Sequence, residues 1–472
     1  MRRALPCLVV LLAACAGEPL KPPVLPAPSR FTATPVEGQA FAPDADIPAQ
    51  WWTLYRSPAL DALVRQALAA SPTLAQADAK LREAQAQLDA RTGATRYPQL
   101  DAKLSANRVD VQPQALGVPA LPVPMPFDLY LASVAVSYKL DLFGAQRQEL
   151  EALQAEVDQL RYQRAAARLM LAGNVVTAAI REAALREQVA GTEELLALQA
   201  RQLAITERLE TIGTVARVDA VNQRGELAQA RANLPELRRQ LEQVRHRLAI
   251  YLGEAPADAA GRPQVQLAQL QLPEPLPLAL PSELARRRPD IRAAEELLHA
   301  ASARVGVAQA NLYPQITLSA NLGTLAAQAA DLFGPHTGFY LLGVSVAQPL
   351  FHGGELQAKR RAAVAAYDQA GAAYREVVLQ GLQEVADAMR ALEADARRLR
   401  DRTEAADQAR LALEISEARH RAGGISTHAL LGAQRKLASA LVDRTQADAD
   451  RAADAAALLQ ALGGGWWKET TD

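Results

Sequence analysis

Thiols are nearly absent: the 472 residues include two cysteines, Cys7 and Cys15, both at the N-terminal end. After Cys15 the chain can form no internal disulfide. Aromatic residues make up 4% and the formal net charge is −1, so no basic, aromatic-studded surface for nucleic acid is expected. No run approaches the roughly 20 apolar residues that a membrane-spanning helix requires. The six histidines are scattered, and none pairs with another at helical spacing. There is no HExxH, Walker A, GxSxG or CxxC pattern. Neither catalytic residues, metal nor soluble cofactor are expected, and the chain reads as a non-enzyme whose work is physical. Proline is missing between Phe127 and Leu234 and again after Pro349. Those stretches are filled with Ala, Leu, Glu, Gln and Arg, which favour helix.

Arg2 and Arg3 precede a short apolar run, 5–14, as in a secretory signal. The run ends in LAAC (12–15), which resembles the bacterial lipobox. Residues 1–14 are therefore expected to be a lipoprotein signal peptide. Cys15 would be the lipidated first residue of the mature chain, and that lipid its only covalent group. Residues 15–50 are proline-rich and read as an extended tether.

The chain also repeats itself. YPQLDAKLSAN (97–107) returns as YPQITLSANLG (313–323), and VAVSYKLDLFG (134–144) as VSVAQPLFHGG (344–354). RLETIGTVARVDAVNQR (208–224) aligns without a gap to RHRAGGISTHALLGAQR (419–435). The period is too long for a solenoid and marks a tandem duplication. The halves are 51–255 and 282–472, joined by a connector at 256–281.

Each half predicts a very long helix, a glycine turn and a helix running back: 143–212 and 216–252, then 355–422 and 426–462. A helix near 70 residues spans about 100 Å and needs neighbours along its length. A bend is expected at Pro235. After each Tyr-Pro the pattern switches to strict alternation. Leu100, Ala102, Leu104 and Ala106 oppose Asp101, Lys103, Ser105 and Asn107; Ile316, Leu318, Ala320 and Leu322 oppose Thr317, Ser319, Asn321 and Gly323. A second strand follows in each half. Such faces suit a soluble sheet or a membrane barrel, and export favours the barrel. On that reading Val134, Val136, Leu342 and Val344 face lipid, while Lys139 and Ser345 face the lumen or its rim. Four strands cannot enclose a water-filled lumen, so several chains must build one barrel.

Taken together, LAAC, WWTLYRSPALDALV (51–64), SYKLDLFGAQR (137–147), LPSELARRRPDIRAAE (280–295), VAQPLFHGG (346–354) and ALGGGW (461–466) resemble the TolC/OprM-type outer-membrane efflux ducts, in their NodT-like lipoprotein branch. The resemblance covers nearly all of the mature chain. It implies an α+β membrane protein: a long α-helical hairpin barrel continuous with an outer-membrane β-barrel, four strands per chain and twelve in a homotrimer. It also implies a periplasmic adaptor, an RND-type inner-membrane pump and outer-membrane lipid as partners; the sequence does not name the cargo, which stays open among drugs, metals, dyes and secreted peptides. The periplasmic end would close at the turns, Gly213 in the first hairpin and Gly423-Gly424 in the second. Candidate gate or tip residues are Arg217, Asp219, Arg224, His428 and Arg435, with Asp219 pairing to an arginine of a neighbouring hairpin. The second tip departs from the family pattern LLDAQR, since Gly432 stands where that acid is expected. Arg286–Arg288 is expected in the equatorial region in a structural role, and Trp51, Trp52, Trp466 and Trp467 are expected to pack together. The alternative reading is a periplasmic coiled-coil adaptor or scaffold lipoprotein.

Overall fold

The computed structural model describes residues 20–468 apart from 22, 27, 44, 46, 111–125 and 259–260; the signal segment and Cys15 lie outside the described residues. In chain order, strand β1 (Phe41–Pro43) precedes helices α1 (Pro58–Ala70) and α2 (Pro72–Arg96). Strands β2 (Gln99–Val109) and β3 (Phe127–Leu140) lead into the hairpin of α3 (Ala145–Thr211) and α4 (Arg217–Tyr251). The second copy follows β4 (Leu276–Leu278) and α5 (Pro281–Arg287). It consists of α6 (Pro289–Ala310), β5 (Gln315–Ala326), β6 (Gly338–Ala347), α7 (Glu355–Arg421) and α8 (Thr427–Ala461).

Local chemistry explains the boundaries. Pro58 opens α1 where its missing N–H costs nothing, and the Ser57 hydroxyl accepts from Leu60 N at 3.3 Å. α2 ends at Arg96 because Pro98 cannot continue it. Pro235 does not end α4, which runs through it as one 35-residue helix. Alanine sets the helix spacing: Ala447, Ala449, Ala452, Ala455 and Ala456 are all buried on α8, and a side chain this small lets neighbouring helices approach closely.

The four long strands form one antiparallel sheet in the order β2-β3-β5-β6. Its register is free of bulges. Leu100 faces Val136, Val136 faces Ala320, and Ala320 faces Leu342 across successive ladders. The alternating apolar residues of all four strands therefore share one face, with Val134 beside Ala102 and Leu322, and Val344 beside Leu318. Lys139, Thr317 and Ser345 line up on the other. A second, two-stranded parallel sheet pairs Phe41–Pro43 with Leu276–Leu278. Part of the stretch read as an extended tether thus acquires a strand. Its partner edge lies in the connector, which local sequence cannot reveal.

The chain divides into two compact units, and each draws on both repeats. One holds residues 80–160 and 294–374 with the described residues up to 24; the other holds 25–79, 161–293 and 375–468. In the first, Ala301, Tyr367 and Ala370 pack with Leu20, Leu298 and Val305. In the second, Arg288 is 7% exposed and ties three segments together. Its guanidinium donates to Asp290 at 2.6 Å, to Glu384 of α7 at 2.6 Å and to the Ala461 carbonyl of α8 at 3.1 Å.

The tryptophans pack in two groups rather than one. Trp51 and Trp52 meet edge to face at 6.2 Å, and a Cβ on Gly464 would come within 2.8 Å of the Trp51 ring. Trp466 instead stands edge-on to Tyr162 and donates to the Arg287 carbonyl, while the Arg287 guanidinium sits over Trp467. The Arg287 carbonyl offers an acceptor that a third indole could not.

Candidate functional site

Both tips are built the same way. Helix α3 ends with Gly213 at φ +79°, its N–H on the Glu210 carbonyl and that of Thr214 on Leu209. Helix α7 ends with Gly423 at φ +73°, its N–H on His420 and that of Gly424 on Arg419. This paired closure satisfies orphan carbonyls and requires a left-handed residue at one position, Gly213 and its counterpart Gly423. Gly424 has no such requirement. The return helices start differently. Ser426 caps α8 by accepting from Ala429 N at 3.2 Å, whereas Ala216 offers α4 no side-chain cap.

Asp219 sits in the first turn of α4, where the helix dipole favours a carboxylate. Neither it nor Arg217 has a side-chain partner among the described residues of its own chain. Arg224 is engaged within the first hairpin, donating to Glu207 at 2.5 Å. Arg435 reaches Glu226 of the other hairpin at 3.7 Å with both groups exposed. His428 is half-buried, and Gln202 of α3 lies 3.1 Å from its Nε2. The apolar contact of Leu198 with Leu431 and Ala438 lies beside it. Around Gly432 a Cβ would meet nothing within 4 Å, so the missing acid is not excluded by space. Among the described residues no group of three His, Cys, Asp or Glu could hold a metal.

Sequence reasoning missed a partly buried polar brace further along these helices. Gln188 of α3 hydrogen-bonds Gln446 of α8, which donates to Asp450 at 2.5 Å. Arg398 of α7 then bridges Asp450 at 2.6 Å and Asp395 at 2.7 Å. Asp395 is 5% exposed. Burial, and then a hydrogen bond with Asp395, push Asp454 up to about 6. Only the helical phase of α7 against α8 brings these residues together. No local motif marks them.

On the sheet, the apolar face is open: Leu342 is 73% exposed and Val344 70%. No helix among the described residues is long and apolar enough to cross a membrane.

A family model described as outer membrane efflux protein matches residues 63–254 and 280–464. The chain is 32% identical over 466 residues to the pyoverdine export outer membrane protein OpmQ of Pseudomonas aeruginosa, covering 97% of this chain and 95% of the relative. It is 26% identical over 477 residues to the cation efflux system protein CusC of Escherichia coli, covering 98% of each. Its fold matches the solved outer-membrane channel OprN with a TM-score of 0.82 at 29% identity, over 96% of this chain and 99% of that one. With a matching model over most of both halves and relatives aligned along nearly their whole length, the chain belongs to the outer membrane efflux protein family and is an outer-membrane efflux channel.

Proposed function

We propose that three copies assemble into one duct, with a twelve-stranded barrel in the outer membrane and the helical hairpins in the periplasm. A periplasmic adaptor and an RND-type inner-membrane pump would deliver solutes to it, and the duct itself conducts passively. The observation that carries this reading is the four-stranded sheet. It has one apolar and one polar face in unbroken register, and among the described residues β2 and β6 are left as open edges. Open edges seek partners, and closure by identical copies removes them all. Under this reading Val134, Val136, Leu342 and Val344 face lipid.

Lipidation of Cys15 belongs to the same proposal, and chain length supports it. Leu20 packs beside Tyr367, and the Tyr367 hydroxyl donates to the Lys21 carbonyl at 3.2 Å. Tyr367 lies roughly 18 Å along α7 from Glu355, the start of the helix below the sheet. The residues from Cys15 to Leu20 extend to roughly 17 Å. The two lengths are comparable, so a fully extended link would bring a lipid on Cys15 near the level of the inner leaflet.

Protein extracted from outer membranes in detergent should run as a heat-modifiable trimer and form ion-conducting pores in planar bilayers. Mass spectrometry should place acyl chains on Cys15. A detergent-independent monomer without conductance would overturn the duct, and an unmodified N-terminus elsewhere would overturn the anchor.

A further inference from the structure

A cavity of about 950 Å³ lies where the helices meet the base of the sheet. It is on the polar side: Lys139 at the inner end of β3 lines it, as do the paired residues Gln315 and Ala347 of β5 and β6. Four cations border it, Arg91, Lys139, Arg304 and Lys359, against two carboxylates, Glu149 and Glu156. Both carboxylates are already taken, Glu149 by Arg91 and Glu156 by Arg304. Lys359 lies 2.5 Å from Glu355, outside the wall.

Two cationic donors on the wall have no acceptor among the described residues, one exposed and one buried. The Lys139 ammonium has no ion-pair partner among the described residues. The Arg91 Nε is buried and unpartnered although the rest of its guanidinium is paired. A buried donor left unmatched is costly, and a cavity that presents spare donors complements an acceptor.

The duplication sharpens the point. The offset of 210 residues that aligns VAVSYKLDLFG with VSVAQPLFHGG also aligns Ala145 with Glu355, the first residues of α3 and α7. At that offset Glu149 corresponds to Lys359. One copy carries a base where the other carries an acid at the cavity wall.

We propose that this cavity is an anion-binding vestibule at the inner mouth of the barrel, taking organic solutes that carry carboxylate, sulfonate or phosphate groups. The volume suits a drug-sized molecule rather than a bare ion. The inference rests on the channel reading, since that reading makes the polar face of the sheet the water-filled one. In the trimer the three vestibules would concentrate anionic cargo where the helical duct passes into the barrel.

The test is calorimetric titration of detergent-purified trimer with mellitate, the benzenehexacarboxylate anion, at low salt. Saturable binding is expected, weakened about tenfold in Lys139→Gln through loss of one charge-assisted hydrogen bond. Lys139→Arg should keep the affinity. Lys103→Gln should leave it unchanged, because Lys103 lies farther out on the same face, beside Ser133. Absence of saturable heat, or equal weakening by Lys103→Gln, overturns the proposal. Binding to solubilised trimer needs no conduction. Pores that conduct but ignore mellitate would therefore sink the vestibule and leave the channel standing, whereas a monomer without conductance would sink the channel reading itself.

Discussion

Leu341 and Leu342 are neighbours on β6 with the same side chain and nearly the same exposure, 65% and 73%, yet they point to opposite faces. Replacing each in turn with arginine isolates the environment of each face. The apolar face carries six rows of paired residues, from Ile316 opposite Val346 out to Tyr130 opposite Ala326. Rows on one face are about 6.8 Å apart along a strand, and a tilt near 40° reduces that to about 5 Å along the membrane normal. Six rows then span about 26 Å, close to the ~25 Å apolar band of outer-membrane barrels. Leu342 shares the third row with Ala320, Val136 and Leu100, near the midplane. Arginine there costs roughly 2–4 kcal/mol per chain, so three copies lose roughly 6–12 kcal/mol, enough to abolish assembly. Leu341→Arg points into water and should cost close to nothing. The assay is the amount of heat-modifiable trimer in outer-membrane fractions at matched expression. Equal trimer from the two variants, or a greater loss with Leu341→Arg, would refute the assignment of faces.

Asp219→Ala should raise single-channel conductance of intact trimer if its unpaired carboxylate latches a neighbouring chain; each exposed pair contributes only about 0–1 kcal/mol, which keeps such a gate easy to open. Gly432→Ala has free space for its Cβ and should raise stability by about 0.5–1 kcal/mol, read as an upward shift in melting temperature. Arg288→Ala should lower stability by roughly 2–3 kcal/mol, because it strands the Ala461 carbonyl and removes three charge-assisted hydrogen bonds to Asp290 and Glu384, and a melting temperature equal to wild type would argue against the brace. The carboxyl of Asp454 is raised from 3.8 to about 6 in the fold, so its stabilising contribution is complete below pH 3.8 and lost as pH rises through 6. Asp454→Asn keeps the hydrogen bond without the charge, and its melting temperature relative to wild type should increase between pH 5 and 7.5; a constant difference would show that Asp454 and Asp395 share no proton.

The sequence by itself determined the repeated local elements. Helix formers without proline dictate α3 and α7, Tyr-Pro stops α2 and α6 short of the strands, and strict alternation sorts Leu342 from Leu341 before any partner strand is known. Left-handed glycine at Gly213 and Gly423 is equally local, since a hairpin turn of this kind puts that residue at positive φ, where a Cβ is strained. Bulge-free register then carried the strand faces intact into the sheet. What the tertiary structure decided depends on phase and distance between segments far apart in the chain. The compact units cut across the two repeats, because matching helices and strands from both copies pack on one another rather than each copy on itself. β1 became a strand only because the edge at Leu276–Leu278 was there to pair with it. The Asp395–Asp454 pair and the vestibule around Lys139 arise where different helices bring charges within hydrogen-bond reach, and a one-dimensional pattern contains no term for that meeting.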